Sequence, residues 1–245
     1  MTLAIIGGTG LTTLEGLEIT RREVVRTPFG EPSGPVIHGV LQGREVMFLA
    51  RHGYAHTIPP HQINYRANIW AMRHLGVRKL IAVAAVGGIS EEMEPARLAF
   101  PDQIIDYTYG RRHTFFEQDL TDVVHIDFTY PYDQALRDVL IAAAEEADLG
   151  AVPWGTYGAT QGPRLETAAE VRRLARDGCH LVGMTGMPEA ALAREAGLAY
   201  ATCAVVANWA AGTGGRTVTM DEIEANLVQG MGRVRTLLAR VVPRL

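Results

Sequence analysis

The chain has 245 residues, of which 47% are hydrophobic and 20% are charged, a balance that is typical of globular proteins and excludes general disorder. Its 23 basic and 27 acidic residues give a net charge of −4, which disfavours nucleic-acid binding, since such proteins usually carry a basic domain or stripe. Two cysteines do not make a disulfide scaffold, and no apolar run has the length of a membrane span or the form of a signal peptide. We therefore expect a cytoplasmic protein without membrane or nucleic-acid partners.

Short apolar runs alternate with segments of helical periodicity along the chain. Strands are predicted at 3–6, 36–39, 45–50, 79–86, 103–107, 154–160, 180–184 and 200–208. Helices are predicted at 65–75, 135–148, 167–177, 188–196 and 220–242. Uninterrupted apolar strands fit a sheet that helices cover on both faces, and we find no repeat or linker. The sequence predicts one three-layer α/β domain over residues 1–245.

Polar side chains follow several of these strands. Thr9 lies in the turn Gly7-Gly8-Thr9-Gly10, Arg51 and His52 follow the strand at 45–50, and Thr185 follows the strand at 180–184. Because open α/β sheets bind ligands at the carboxyl ends of their strands, these side chains are predicted to converge on one small tetrahedral oxyanion. Taken singly, each has a plainer interpretation: a structural turn, a dinucleotide-binding turn in which Thr9 replaces a glycine, or a surface charge beside a packed histidine.

An amide and a carboxylate stand at two other strand ends. Asn208 follows an apolar strand, and Glu166 lies in the segment Gly162-Pro163-Arg164-Leu165-Glu166-Thr167. An amide and a carboxylate together can read a donor–acceptor edge of a heterocycle. Each residue alone fits a helix cap or a solvated face equally well.

Six segments together resemble the trimeric purine nucleoside phosphorylase superfamily, most closely its methylthioadenosine phosphorylase branch. They are Ile5-Ile6-Gly7-Gly8-Thr9-Gly10-Leu11, Thr27-Pro28-Phe29-Gly30, Leu49-Ala50-Arg51-His52-Gly53, Asn64-Tyr65-Arg66-Ala67-Asn68-Ile69-Trp70-Ala71, Gly162-Pro163-Arg164 and Met184-Thr185-Gly186-Met187-Pro188-Glu189. The resemblance implies one α/β domain around a mixed, twisted sheet, assembled as a homotrimer. It also implies a pentosyltransferase that cleaves an N-glycosidic bond with phosphate, releasing a purine and a ribose 1-phosphate in purine salvage.

The resemblance also implies roles for single residues. Thr9, Arg51, His52 and Thr185 match the family's phosphate ligands. Ala84 and Ala85 stand where the family has a threonine–alanine pair near phosphate and sugar, so Ala84 offers only its backbone N–H. Met184 matches a methionine that contacts the ribose. Asn208 and His52 are the catalytic candidates.

The segment around the base departs from the methylthioadenosine branch. That branch has two aspartates, spaced by one residue, where this chain has Asn208-Trp209-Ala210, and usually a serine where this chain has Glu166 beside Leu165. Glutamate and asparagine resemble the 6-oxopurine phosphorylases instead. An ionised Glu166 only accepts hydrogen bonds, so it suits the N1–H of hypoxanthine and opposes the N1 lone pair of adenine.

The residues expected near the 5′ group of the nucleoside favour a thioether there. His125 aligns with a histidine near the 5′ substituent of the methylthio branch, and Met220 and Ile223 match its apolar pocket, although a helix core stripe explains these two residues equally well. The combination predicts 5′-methylthioinosine as the nucleoside. The alternatives are a methylthioadenosine phosphorylase, a general inosine/guanosine phosphorylase and a non-catalytic nucleotide-binding module.

We expect no cofactor or metal, with phosphate as co-substrate, since His, Cys and Asp show no zinc-type spacing.

Overall fold

The computed structural model describes residues 2–118, 120–213 and 217–245, which contain ten strands and five α-helices. The strands are β1 Thr2–Gly7, β2 Glu18–Glu23, β3 Val36–Leu41, β4 Arg44–Ala50, β5 Val77–Gly88, β6 Leu98–Ala99, β7 Gln103–Asp106, β8 Thr156–Ala159, β9 Leu181–Gly183 and β10 Ala199–Trp209. The helices are α1 Tyr65–His74, α2 Gln134–Glu146, α3 Ala168–Arg176, α4 Gly186–Glu195 and α5 Met220–Val241. Short 3₁₀ turns occupy Pro60–Gln62 and Val242–Arg244.

All ten strands belong to one mixed sheet with β5 at its centre. The order is β2-β3-β4-β1-β5-β9-β8-β7, and β10 pairs with β5 and β6. β5 runs parallel to β1 and β10, but β9 meets only its last two residues, Gly87 and Gly88, in antiparallel pairing. The sheet therefore divides at the end of β5, and this division leaves a cleft among the strand ends.

The sheet has a hydrophobic core on each face. Ala4 and Ile6 of β1 belong to a core shared with α1 and α4, whereas Leu3 and Ile5 belong to a core shared with α2 and α5. This division follows from the period of two along a strand, which sends successive side chains to opposite faces. The expected α/β architecture with helices covering a mixed sheet is confirmed.

The differences from the predicted elements have local causes. Thirteen predicted elements are present with ends shifted by at most two residues. β2 and β6 were not predicted: β2 reads Glu-Ile-Thr-Arg-Arg-Glu, an exposed edge hairpin partner of β3, and β6 is only two residues long. A charged edge strand lacks the apolar alternation by which strands are recognised. Within the described residues, no helix combines the length and apolar composition needed to cross a bilayer.

Candidate active site

The strand ends surround a cleft that contains most of the predicted site residues. Thr9 comes two residues after β1, Arg51 and His52 directly follow β4, Thr185 comes two residues after β9, and Asn208 lies near the end of β10. β9 runs antiparallel to β5, yet its carboxyl end reaches the same place because the two strands overlap only at their ends. The cleft is also lined by Gly8, Pro60, Ala84, Ala85, Val86, Gly87, Leu165, Glu166, Val182, Gly183, Met184, Ala207, Ala210, Ala211, Val218, Ile223 and Leu227.

The turn after β1 approaches its neighbours so closely that a side chain would not fit. A Cβ atom added to Gly8 would lie 2.7 Å from the Val83 carbonyl oxygen and 2.9 Å from Nη1 of Arg51. These distances are far shorter than van der Waals contact. Glycine at this position therefore lets the backbone before Thr9 lie directly against Arg51, which is the arrangement expected for an anion cradle.

Arg51 is held rigidly at the floor of the cleft. Its side chain is 1% exposed, and it binds Glu189 through two hydrogen bonds, from Nε at 2.6 Å and from Nη2 at 2.8 Å. Nη1 donates to the Val83 carbonyl at 2.9 Å. Burial by itself lowers the pKa of Arg51, but the charge and hydrogen bonds of Glu189 outweigh burial and raise that pKa above its usual value. Of the five N–H groups of arginine, one on each terminal nitrogen is left for a ligand.

His52 presents a hydrogen-bond acceptor to the cleft. Its Nδ1 lies 2.8 Å from the carbonyl oxygen of Ile58, and since a carbonyl only accepts, Nδ1 carries the proton. Burial, followed by the charge of Arg51, lowers the pKa of His52 to about 4. The ring is therefore neutral at neutral pH, and its Nε2 carries a lone pair. Such a nitrogen pairs with a protonated oxygen of phosphate.

Two threonine hydroxyls complete the predicted anion site. Thr9 Oγ1 lies 3.1 Å from Nε2 of His56, a residue in the loop after β4 with a left-handed φ of 52°. Thr185 is 6% exposed and stands at the N-cap of α4, but its side chain makes no capping bond. The hydroxyl is therefore not used to cap the helix, and Thr185 lines the cleft.

The predicted base readers, Glu166 and Asn208, line the same cleft. A register shift in the β10–β5 ladder places a β-bulge at Ala207, so Ala207 and Asn208 both line the cleft although they are consecutive. Asn208 is 8% exposed, and its Nδ2 donates to the Trp209 carbonyl at 2.7 Å. Glu166 accepts a hydrogen bond from the Thr160 hydroxyl at 2.6 Å. Asn208 therefore has one N–H and its amide oxygen left to bind a heterocycle, and Glu166 has one carboxylate oxygen left.

Part of the cleft lining is apolar and comes from α5 and the segment before it. Val218, Ile223 and Leu227 line it from the segment before α5 and from the first two turns of that helix. Met184 and the pair Ala84–Ala85, for which the resemblance implies positions near the sugar, also line the cleft.

Three predicted site residues lie outside the cleft of this chain. Trp209 follows Asn208 in β10, and strand alternation sends its side chain to the other side. Met220 is the first residue of α5 and is 71% exposed, one turn short of the part of α5 that lines the cleft. His125 is exposed in an irregular segment.

Among the described residues, no group of three or more His, Cys, Asp or Glu side chains is placed to hold a metal ion.

Several residues of the site had no predicted role. In the sequence Glu189 is only one residue of a motif, yet it is 1% exposed and accepts hydrogen bonds from both Arg51 and the Tyr200 hydroxyl, the latter at 2.9 Å. Leu227 stands four residues after Ile223 on the same helix face, so helical spacing was a usable signal for it. Thr160, which holds Glu166, gave no signal in the sequence.

The comparisons with known proteins identify the class to which this fold and cleft belong. The profile of the phosphorylase superfamily matches residues 2–243. The chain belongs to this superfamily, and the resemblance noted in the sequence is confirmed. The chain is a nucleoside phosphorylase by family, as its curated relatives and the solved structures agree.

Two curated relatives and one solved structure illustrate the similarity. The chain is 56% identical over 239 residues to a probable S-methyl-5′-thioinosine phosphorylase of Pseudomonas syringae pv. tomato, covering 98% of this chain and 97% of the relative. It is 45% identical to the 6-oxopurine nucleoside phosphorylase of Pyrococcus furiosus, covering 98% and 92%. It is 30% identical to the structure of methylthioadenosine phosphorylase from Schistosoma mansoni in complex with adenine, with a TM-score of 0.94, covering 100% and 91%.

Proposed function

We propose that this enzyme cleaves S-methyl-5′-thioinosine with phosphate, giving hypoxanthine and 5-methylthioribose 1-phosphate. The observation that carries the proposal is one cleft lined by three kinds of group: oriented donors at Arg51, a carboxylate and an amide at Glu166 and Asn208, and apolar side chains from α5 and the segment before it. The names of the relatives at 52–56% identity agree with this substrate.

The polarity of the base-binding residues favours a 6-oxopurine. Hypoxanthine has an N1–H donor and an O6 acceptor, which match a carboxylate and an amide N–H. Adenine has an N1 lone pair and a 6-amino donor. With adenine, the free oxygen of Glu166 would face a second lone pair, and a buried group would stay unpaired. Sites built around one specific hydrogen bond reject the mismatched analogue by about 10⁴-fold or more.

The apolar lining favours a 5′-methylthio group over a 5′-hydroxyl. A thioether is polarizable and packs well on the aliphatic side chains of Val218, Ile223 and Leu227. A 5′-hydroxyl placed there would lose its hydrogen bonds to water. A general 6-oxopurine phosphorylase, the name of the relative from Pyrococcus furiosus, is the second candidate, since it uses the same base-binding residues.

Catalysis follows from the arrangement of charges. Departure of the purine leaves positive charge on the ribosyl ring, and a phosphate bound by Thr9, Arg51, His52 and Thr185 supplies both the nucleophile and the countercharge. The charge of Arg51 is already balanced by Glu189, so the phosphate keeps its negative charge for the ribosyl ring. Asn208 stabilises the leaving purine at O6 and N7.

The remaining expectations from the sequence are part of the proposal. Phosphate is the co-substrate, no cofactor is required, and the enzyme acts in the cytoplasm as a homotrimer. Exposed Tyr109, Val123 and Tyr130 lie in the same irregular stretch as His125, which suits contact with a second copy. In such a trimer His125 would act at the cleft of a neighbouring subunit. Light scattering on the purified protein tests the trimer.

Phosphate-dependent cleavage of four nucleosides tests the proposed activity. Methylthioinosine, methylthioadenosine, inosine and adenosine vary the base and the 5′ group independently, and cleavage is followed by the absorbance of the purine. We expect the highest kcat/KM for methylthioinosine. A preference for methylthioadenosine would contradict the roles of Glu166 and Asn208, and equal rates with inosine would favour the general 6-oxopurine phosphorylase.

A further inference from the structure

We propose that Thr160 is a specificity-determining residue: by holding Glu166, it ensures that the group facing N1 of the purine is a hydrogen-bond acceptor. The inference rests on the proposed function and extends it to a residue outside the cleft lining. Thr160 directly follows β8, and its hydroxyl lies 2.6 Å from Oε1 of Glu166 and 3.3 Å from the Gly183 carbonyl. A hydroxyl has one proton, which goes to the nearer and charged acceptor.

The backbone around Thr160 is fixed from both sides. Its N–H donates to the Gly183 carbonyl at 2.8 Å. The buried Arg111 donates from Nη2 to the Gln161 carbonyl at 2.8 Å and from Nη1 to the Met184 carbonyl at 2.8 Å. These bonds join the loop after β8 to the loop after β9. The hydroxyl of Thr160 is therefore presented from a rigid backbone.

Glu166 itself depends on this hydroxyl. It lies on the irregular segment before α3 and is half-buried. Among the ion pairs of the described residues none involves Glu166, because its neighbour Arg164 binds Glu170 through two hydrogen bonds of 2.8 Å. The Thr160 hydroxyl is the donor that the structure gives to this carboxylate. It engages Oε1 and leaves Oε2 as the oxygen that accepts from the purine N1–H.

The same hydrogen bond would fix the orientation of an amide side chain at position 166. In Glu166→Gln, the hydroxyl would hold the amide oxygen, and the amide N–H₂ would face the base. That group donates, so it would suit N1 of adenine instead of N1–H of hypoxanthine. Without the hydroxyl, nothing in this contact would distinguish the two orientations of the amide.

Substitutions at position 160 test the inference. Thr160→Val keeps the side-chain shape and removes the donor, Thr160→Ser keeps the donor, and Thr156→Val makes the same chemical change at the other end of β8, outside the cleft. We measure kcat/KM for methylthioinosine and methylthioadenosine and the affinity for hypoxanthine by calorimetry. Thr160→Val should lower kcat/KM for methylthioinosine and hypoxanthine affinity about tenfold, the effect of losing one charge-assisted hydrogen bond. Its kcat/KM for methylthioadenosine should change by less than about twofold.

The conservative and control variants keep the test independent of folding. Thr160→Ser and Thr156→Val should retain the wild-type ratio of the two nucleosides. Glu166→Gln should shift the ratio toward methylthioadenosine, and the double variant that adds Thr160→Val should lose most of that shift. An unchanged ratio in Thr160→Val, or an equal loss for both nucleosides, would overturn the inference. Failure of the wild type to cleave any nucleoside would refute the proposed function instead, while hypoxanthine affinity would still report on Thr160.

Discussion

Arg51 and Glu189 form a two-point ion pair, with bonds of 2.6 and 2.8 Å, across 138 positions of sequence. Both side chains are 1% exposed. The pair joins the end of β4 to α4 and thereby fixes the two loops that carry His52 and Thr185. The predicted anion site is thus built on a buried pair of opposite charges that contributes no net charge of its own.

Removal of one partner of this pair should affect both stability and phosphate binding. Glu189→Gln leaves the buried Arg51 without a countercharge, and breaking a buried pair in this way costs about 3–5 kcal/mol of unfolding free energy. We also expect KM for phosphate to rise at least tenfold, because the freed guanidinium turns from its present orientation. Urea unfolding and initial rates measure the two effects.

A surface ion pair of similar geometry serves as the control. Glu170→Gln breaks the two-point pair with Arg164, whose side chains are 43% and 68% exposed. Such pairs contribute less than about 1 kcal/mol. Equal destabilisation by Glu170→Gln and Glu189→Gln would show that burial does not increase the contribution of the Arg51–Glu189 pair to the free energy of unfolding.

The predicted anion site illustrates what the sequence can reveal. Thr9, Arg51, His52 and Thr185 each follow an apolar strand, and the strand ends of an α/β sheet meet at one edge. Their convergence in one cleft therefore followed from local patterns and topology. The pairing of Arg51 with Glu189 did not, because it depends on where α4 packs relative to β4, and residues so far apart leave no local signal.

Other parts of the site depend on details finer than a pattern. The bulge at Ala207 decides that Asn208 faces the cleft and Trp209 does not, and a single extra residue in a ladder has no signature in the run of apolar residues around it. In α5 the predicted apolar stripe was displaced by a turn, so Leu227 lines the cleft where Met220 was expected. The phase of a helix is readable from sequence, but the point at which it meets its neighbours is not.

Asn208→Ala should reduce kcat more than it raises KM for methylthioinosine. In the proposed mechanism the amide stabilises negative charge that develops on the purine only as the glycosidic bond breaks, so the interaction would be stronger in the transition state than in the bound substrate. We expect kcat to fall on the order of 10²-fold, with KM changed by less than about fivefold. Steady-state rates at saturating phosphate measure both constants. A variant that keeps the wild-type kcat would remove Asn208 from the catalytic step.

The neutral state of His52 should make sulfate binding strongly dependent on pH. Sulfate carries no proton between pH 7 and 5, so it pairs with Nε2 only when the ring of His52 is protonated. Burial and the charge of Arg51 lower the pKa of His52 to about 4. The protonated fraction, and with it sulfate affinity, should rise about tenfold for each unit that pH falls between 7 and 5. Phosphate keeps a proton across this range and should change much less.

Binding measurements at several pH values check this expectation. Sulfate and inorganic phosphate are titrated by calorimetry in the absence of nucleoside. The groups that face His52 are Arg51, His56 and Glu189, so His56→Gln, which removes the other imidazole at a ring distance of 5.0 Å, identifies any contribution of His56 to the slope. Parallel slopes for the two anions would mean that His52 does not act as an acceptor.

The apolar wall should determine the choice between a methylthio group and a hydroxyl at C5′. Ile223→Ser places a hydroxyl in the wall and removes aliphatic surface, which should lower kcat/KM for methylthioinosine about tenfold and leave inosine unchanged or improved. Val228→Ser is the matched control, because Val228 lies on the same helix and is 68% exposed. The ratio of the two nucleosides is measured for each variant. If Ile223→Ser retains the wild-type ratio while methylthioinosine remains the preferred substrate, the 5′ group is recognised elsewhere, and the segment that contains His125 becomes the next place to substitute.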